Sequence, residues 1–171
     1  FCCFAVFCVL LLFFFALVVG PCGVLVRCYR KVLLYDADLP WASPGRQHMS
    51  IGSDLGRIAP AICMDLNDDN LIRYLHRARV AVPAFCTNWA EEGSAVQPYW
   101  IWRLAGWPGW LVAANTWGTD EGTQFSGGSA IITPDKRVVA RAAHLGDEVL
   151  LVDTMALPKA TVLPSPDEPF W

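Results

Sequence analysis

The chain has 171 residues, 54% of them apolar, and a formal net charge of −3. That length suits one domain with a real core, and the charge, with no Lys/Arg cluster interleaved with aromatics, excludes nucleic acid as a main partner. Of seven cysteines, five (Cys2, Cys3, Cys8, Cys22, Cys28) lie in or beside the apolar start, no CxxC pair exists, and His48, His76 and His144 lack ligand spacing; no metal or cofactor is expected, and a reducing compartment with free thiols is the simpler account.

Residues 1–19 carry no charged or amide side chain, about the length that spans a bilayer as a helix. They lack the basic start and small-residue cleavage site of a signal peptide. The reading is a single membrane-crossing helix, with Arg27, Arg30 and Lys31 holding the rest of the chain in the cytoplasm by the positive-inside rule. The competing reading starts from Phe1 standing where a Met would begin a gene product. The run is then not authentic and the protein is cytoplasmic.

Residues 20–23, "GPCG", form a breaker cluster and are read as a linker. Residues 24–34 are β-rich and lead into a loop; 40–46, "PWASPGR", is irregular; 57–63, "RIAPAIC", is a buried strand. Residues 68–78 place Leu71, Leu75 and Ala78 on one helical face, with Asn67 or Asp68 as N-cap. Strands are predicted at 80–85 and 110–115, and a helix at 96–107 stopped by Pro108-Gly109. Residues 128–134 and 137–142 form a hairpin, and 148–154 a last strand. Strands alternating with helices, then a hairpin-rich tail, predict an α/β layered fold with a mixed sheet. The globular domain is placed at 24–157 and a C-terminal arm at 158–171.

The strand at 57–63 ends on a thiol, with Asp65 two residues on. Cys63 is either one more small hydrophobe or a nucleophile presented at a strand end before a helix N-terminus. A nucleophilic thiol needs a base or a cation. None of the histidines stands in a motif-like setting, and His76, between Arg73 and Arg77, reads as part of a solvated face. Lys31, at the end of a β-rich run, could lower the thiol pKa and hold an oxyanion; alone, such a lysine is more often simply solvated. Asp65 is expected to anchor the turn through backbone N–H groups.

Five blocks in order, "GVLVRCYRKVLL" with a following "PG", "GRIAPAICMDL", "VPAFCTNW", "WLVAANTWG" and "FSGGSAIITPDKRVVARA", resemble the nitrilase, or carbon–nitrogen hydrolase, superfamily over roughly residues 23–154. "ICMDLN" is similar to the N-terminal amidase branch, which acts on side-chain amides of N-terminal Asn or Gln. The resemblance implies a partial α-β-β-α sandwich and a Glu–Lys–Cys triad. In it Cys63 is the nucleophile, Lys31 and the Met64 backbone N–H stabilise the oxyanion, and Trp89 lines the pocket. Asn115 and Gly118 give structural support. It also implies an amide, nitrile or peptide N-terminus as substrate, and a homo-oligomer.

The pattern departs from the family in one place. The family's general-base Glu lies upstream of the Lys, yet no acidic residue precedes Asp36, and between Lys31 and Cys63 stand Asp36, Asp38 and Asp54 rather than a Glu. Glu91 and Glu92 follow Trp89 and could approach the pocket mouth, though a solvated loop is the commoner setting for such residues. The activity expected from the resemblance is therefore thiol-dependent hydrolysis of a non-peptide carbon–nitrogen bond. The alternatives are a non-catalytic member of the superfamily and a membrane N-acyltransferase of the apolipoprotein type. The last carries several spans and a Glu-bearing loop, where this chain has one apolar run and "DADLPW".

Overall fold

The computed structural model describes residues 4–10, backbone only, and 13–154 in full. The apolar start is not a helix. It forms two antiparallel strands, β1 (Phe4–Leu10) and β2 (Phe13–Val19), in register from Phe4 opposite Val19 to Leu10 opposite Phe13. Residues 20–23 turn the chain into β3 (Leu25–Arg30): Gly23 takes a left-handed φ of 75° and donates its N–H to Gly20 O. β2 is thus the centre of a three-stranded antiparallel sheet, and the linker is a hairpin turn.

This corrects the membrane-anchor expectation, and no helix among the described residues is long and apolar enough to cross a membrane. Hydropathy reports how apolar a run is, and a fully buried strand can match a span residue for residue. Ten of the nineteen side chains of the run are Phe or Val, aromatic or β-branched types that favour the pleated conformation. Ala16 and Val18, two apart, are buried on one face of β2. The basic residues read as membrane flanks lie on or just beyond β3, and the Arg30 guanidinium lies 4.1 Å over the Phe13 ring.

The second sheet has six strands, in the order β11-β10-β7-β6-β5-β4. They are β4 (Ile51–Ser53), β5 (Gly56–Ile62), β6 (Val80–Thr87), β7 (Leu111–Asn115), β10 (Ala130–Ile132) and β11 (Val138–Arg141). β5, β6 and β7 run parallel, and the outer pairs are antiparallel. Between β7 and β10, β8 (Trp117–Asp120) and β9 (Thr123–Ser126) form a separate hairpin. The sequence reading missed this hairpin and the short β4. Its signal was Glu121-Gly122, both at positive φ, a two-residue turn suited to a right-twisted ribbon.

Helices α1 (Asp69–Arg77) and α2 (Gln97–Arg103) cover one face of the large sheet. Asp68 caps α1, its side chain accepting from Asn70 N–H. Leu71 and Leu75, one helical turn apart, are fully buried with Ala59, Ala61, Phe85, Trp100 and Trp107. Leucines sealed in this way are each worth about 1.5–3 kcal/mol of transfer free energy. A smaller cluster of Ala16, Tyr29 and Ile62, flanked by Phe14, Val32, Met49 and Cys63, joins the small sheet to the large one. Ile62 belongs to this cluster while Ala59 and Ala61 belong to the helix side, so β5 is covered on both faces, as its unbroken apolar run required.

The described architecture is therefore α-β-β, three layers of the expected four. Val24, Leu25 and Val26 leave the small sheet with an exposed apolar margin. The strand expected at 148–154 does not form: Val149 and Leu151 are exposed and the segment joins no sheet among the described residues. The C-terminal arm at 158–171 lies outside the described residues.

Candidate active site

β5, β6 and β7 present their C-terminal ends along one edge, with Ile62 opposite Cys86 and Thr87 opposite Asn115. In parallel sheets this is the edge where ligands bind. Cys63 follows Ile62, is half-buried, and is a free thiol. Its φ is 44°, a left-handed value that costs a non-glycine residue about 1–3 kcal/mol. The strain comes from turning sharply out of a strand into a short 3₁₀ segment, Cys63–Asn67, which leads to α1. Such a turn lifts a side chain clear of the sheet edge, as nucleophile-bearing elbows do.

Asp65 holds the turn. It is fully buried and accepts four hydrogen bonds. Oδ1 takes Val32 N–H and Leu33 N–H, both at 2.8 Å; Oδ2 takes Ile62 N–H at 2.9 Å and the Tyr29 hydroxyl at 2.7 Å. The residue after Lys31 and the residue before Cys63 are therefore clamped by a single carboxylate. Burial pushes the Asp65 carboxyl above its ordinary value, and the hydrogen bonds it accepts offset this only in part. Burial, then the Asp65 charge, push the Tyr29 phenol far above its ordinary range, so it remains a donor.

Lys31 is buried at the end of β3. Its Nζ lies 2.5 Å from Asp38 Oδ2 and 4.7 Å from the centroid of Phe14, a ring of the same cluster that Cys63 flanks. Asp38 Oδ2 also accepts Tyr35 N–H at 2.9 Å. The backbone of Lys31 is fixed on both sides, its N–H to Phe14 O and its carbonyl accepting from Gly45 N–H. Only glycine fits at 45, because a Cβ there would sit 2.3 Å from Arg30 O. The "PG" of the sequence block is thus a close approach that fixes the lysine strand.

Of the five carboxylates named from the sequence, Asp36, Asp54, Glu91 and Glu92 are exposed. Asp38 alone is buried, against the lysine. Glu91 spends its Oε1 on Gly93 N–H within its own loop, the solvated setting expected. His76 is exposed on α1, also as expected.

Met64 follows Cys63 in the turn, its Sδ receiving Asn67 Nδ2 at 3.3 Å. Trp89 lies just beyond β6 on the helix side of the sheet, its ring 5.3 Å from Tyr99. The Tyr99 hydroxyl in turn donates to Asn67 Oδ1 at 2.7 Å, which joins the tryptophan to the Cys63–Asn67 turn. Asn115 has the supporting role expected of it: its Oδ1 accepts Trp89 N–H, and its Nδ2 donates to Ser126 Oγ and Gly127 O. Gly118 supplies a φ of 89° within β8. The open cleft lined by Asn115, Trp117, Gly128, Asp147 and Glu148 is formed without Cys63 or Lys31.

Sequence reasoning missed Tyr29 and His48. His48 Nδ1 lies 3.1 Å from the Tyr29 hydroxyl and its Nε2 lies 2.9 Å from Asp68 Oδ2. Burial raises the Asp68 carboxyl, but hydrogen bonds from His48 and Asn70 outweigh it and hold the group below its ordinary value. Three residues so far apart in the chain carry no local signal. The tyrosine of "YRK" was in view only as part of a motif.

A two-sheet sandwich with helices on one face, with a strained thiol at the end of one strand and a buried lysine–carboxylate pair at the end of another, has the form of a thiol-bearing α/β domain. The carbon–nitrogen hydrolase family profile matches residues 11–157, and the chain belongs to that family. The match begins inside the run first read as a membrane helix, in accord with its place in the sheet. No curated protein sequence matches the chain.

Among solved structures the chain is similar to an amidase of the nitrilase superfamily from Nesterenkonia sp. AN1. A Cys-to-Ala variant of that amidase aligns with a TM-score of 0.71 at 19% identity, covering 77% of this chain and 52% of the other. A Glu-to-Leu variant, which carries the acetamide moiety of fluoroacetamide on its active-site cysteine, aligns with a TM-score of 0.69 at 21% identity, covering 75% and 50%. A Cys-to-Ala variant in complex with butyramide gives 0.69 at 20%, covering 75% and 51%. At these identities the likeness establishes the fold. The chain spans about half the length of these structures.

Proposed function

We propose that the protein hydrolyses a non-peptide carbon–nitrogen bond through an acyl-enzyme on Cys63. Its substrate is an amide or nitrile, the side-chain amide of an N-terminal Asn or Gln included. The observation that carries this reading is the Asp65 clamp, whose four bonds tie the Lys31 strand end to the Cys63 turn. For an amide, the Cys63 sulfur attacks the carbonyl carbon, and the new oxyanion is held by Lys31 Nζ and the Met64 N–H. Collapse breaks the C–N bond, and the nitrogen leaves as ammonia after taking a proton. Water then attacks the thioester, releasing the acid and restoring the thiol. Trp89 forms a wall of the substrate pocket.

Acid–base work is where this chain is weakest. A thiol acyl transfer needs a group to take the thiol proton, protonate the leaving nitrogen and activate water, each step worth about 10²–10⁴-fold. Lys31 is a cation, and the carboxylate beside it, Asp38, is committed to Lys31 Nζ and Tyr35 N–H. The 171-residue chain should acylate slowly and deacylate more slowly. The experiment is ammonia release from simple amides and from peptides beginning with Asn or Gln, together with mass detection of an adduct on Cys63. A slowly resolved adduct, abolished in Cys63→Ala, supports the reading; release that survives Cys63→Ala overturns it. Rapid multiple turnover would mean that one of Asp36, Asp38, Glu91 or Glu92 supplies the base.

A further inference from the structure

Asp65, Tyr29, His48 and Asp68 form one unbroken hydrogen-bonded chain through the small-sheet side of the site. Its links are Asp65 Oδ2 to Tyr29 Oη at 2.7 Å, Tyr29 Oη to His48 Nδ1 at 3.1 Å, and His48 Nε2 to Asp68 Oδ2 at 2.9 Å. Tyr29 and Asp65 are fully buried, and the His48 and Asp68 side chains are 5% and 13% exposed, so water cannot readily stand in for a missing partner.

The protons can be counted. Three hydrogen bonds need three protons. Two carboxylates supply none, a tyrosine supplies one and a neutral imidazole one, leaving the chain a proton short. Burial favours a proton on Asp65, but three backbone N–H groups point at its oxygens and stabilise the carboxylate. Tyr29 can donate only once. If it donates to Asp65, both ring nitrogens of His48 must carry hydrogen, one directed at Tyr29 and one at Asp68.

We propose that His48 is a positioning residue for the nucleophile turn, with a hydrogen on each ring nitrogen. Its two N–H groups orient the Tyr29 hydroxyl toward Asp65 and tie that linkage to the cap of α1. His48 touches neither Cys63 nor Lys31 in this scheme and acts on both through Asp65. Asp68 caps α1, so the chain fastens three pieces together: the Lys31 strand end, the Cys63 turn and the helix that follows it. The Tyr74 ring lies 6.3 Å from that of His48, and the Tyr74 hydroxyl is bonded to Ser50 Oγ, which also receives Arg57 Nε at 3.0 Å. Arg57 is thus separated from the ring by a serine, and Asp65 and Asp68 dominate the field at the imidazole.

The proton count stands on geometry alone, while the positioning role rests on the reading of Cys63 as nucleophile. Two measurements on the 171-residue protein separate them. Nitrogen-15 NMR of the histidine side chains should show both His48 nitrogens protonated at pH 7, and a bare ring nitrogen there would overturn the proton assignment. The second measurement is the rate of Cys63 alkylation by iodoacetamide from pH 6 to 10, in the wild type, His48→Asn, Tyr29→Phe and the double variant. Each single variant should lose on the order of tenfold, the scale of one charged hydrogen bond, and the double variant should lose no more than either. The wild type should show a fall at alkaline pH that His48→Asn lacks. Additive losses, or the same pH profile in His48→Asn and wild type, would overturn the positioning role. If His48→Asn fails to fold, Tyr29→Phe alone decides, since it keeps the ring and removes only the link. A positive result in both, with no amide hydrolysed, would leave this inference standing and remove the proposed function.

Discussion

Replacing Asp65 by Asn is the most direct test of the clamp, because it changes one atom of a side chain that makes four hydrogen bonds. Asn keeps a single acceptor oxygen and puts an NH₂ where the other oxygen stood. In one orientation the NH₂ meets Val32 N–H and Leu33 N–H; in the other it meets Ile62 N–H and Tyr29. The second is better, because the hydroxyl can rotate to accept, but Ile62 N–H is then left buried and unpaired. A lost charged bond of about 1.5–3 kcal/mol with an unsatisfied donor costing about 1–3 gives a destabilisation on the order of 3–5 kcal/mol. That is a large part of the stability of an ordinary domain, and at this chain length it corresponds to a drop of roughly 10 °C in Tm. Urea unfolding followed by tryptophan fluorescence measures it, since Trp100 and Trp107 are buried in the helix-side core. A loss below about 1 kcal/mol would mean that Asp65 does not hold the two strand ends together.

Three further outcomes are expected. Iodoacetamide should label Cys63 well before Cys86 near neutral pH, because burial pushes the Cys86 thiol up and the thiolate is the reacting form; peptide mapping that finds Cys86 labelled first would contradict the site. Burial pulls the Lys136 ammonium down to about 8, against the opposing pull of Asp135. Below pH 8 both folded and unfolded chains hold this proton, while between about 8 and the ordinary 10.5 only the unfolded chain does, so the Lys136 contribution to stability must improve as pH rises through that window. Lys136→Met should remove this rise in urea midpoints measured at pH 7 and 9.5, and an unchanged difference between the two pH values would refute it. Gly45→Ala should lower stability by more than the few tenths of a kcal/mol typical of a surface change and slow Cys63 labelling, because its Cβ must displace the Arg30 carbonyl beside Lys31; normal labelling would separate Gly45 from the site.

How much of this was legible in the sequence depended on the range of each signal. The core strands expected at 57–63 and 80–85, and the helix with Leu71 and Leu75 four apart, announce themselves through local periodicity and caps, and they form at Gly56–Ile62, Val80–Thr87 and Asp69–Arg77. The apolar start failed for a physical reason. A strand buried in a sheet and a helix buried in lipid both exclude polar side chains, and only the run's aromatic and β-branched make-up favoured the strand. The expected strand at 148–154 failed in the opposite way: its apolar run suits a strand, but the segment joins no sheet among the described residues, and Val149 and Leu151 stand exposed.

The site divides along the same line. The thiol, the lysine and the aspartate of the turn all belong to short blocks, and the anchoring of the turn by Asp65 was legible there. What could not be read is which carboxylate meets the lysine and which groups complete the clamp, because those pairings span the fold. Tyr29 and Asp65 are 36 residues apart and His48 and Asp68 are 20 apart. Asp38 is only seven residues from Lys31, yet nothing local separates it from Asp36, whose side chain is exposed. The 3₁₀ turn at Asp36–Asp38 makes the choice by rotating one aspartate inward and its neighbour-but-one outward. A lysine sealed in the interior needs that counter-charge, since an uncompensated buried cation costs several kcal/mol. Asp38 is therefore required by the fold whether or not it takes part in chemistry. Asp38→Asn should lower stability in the Cys63→Ala background as well as in the wild type, and equal stability there would leave the ion pair only a catalytic purpose.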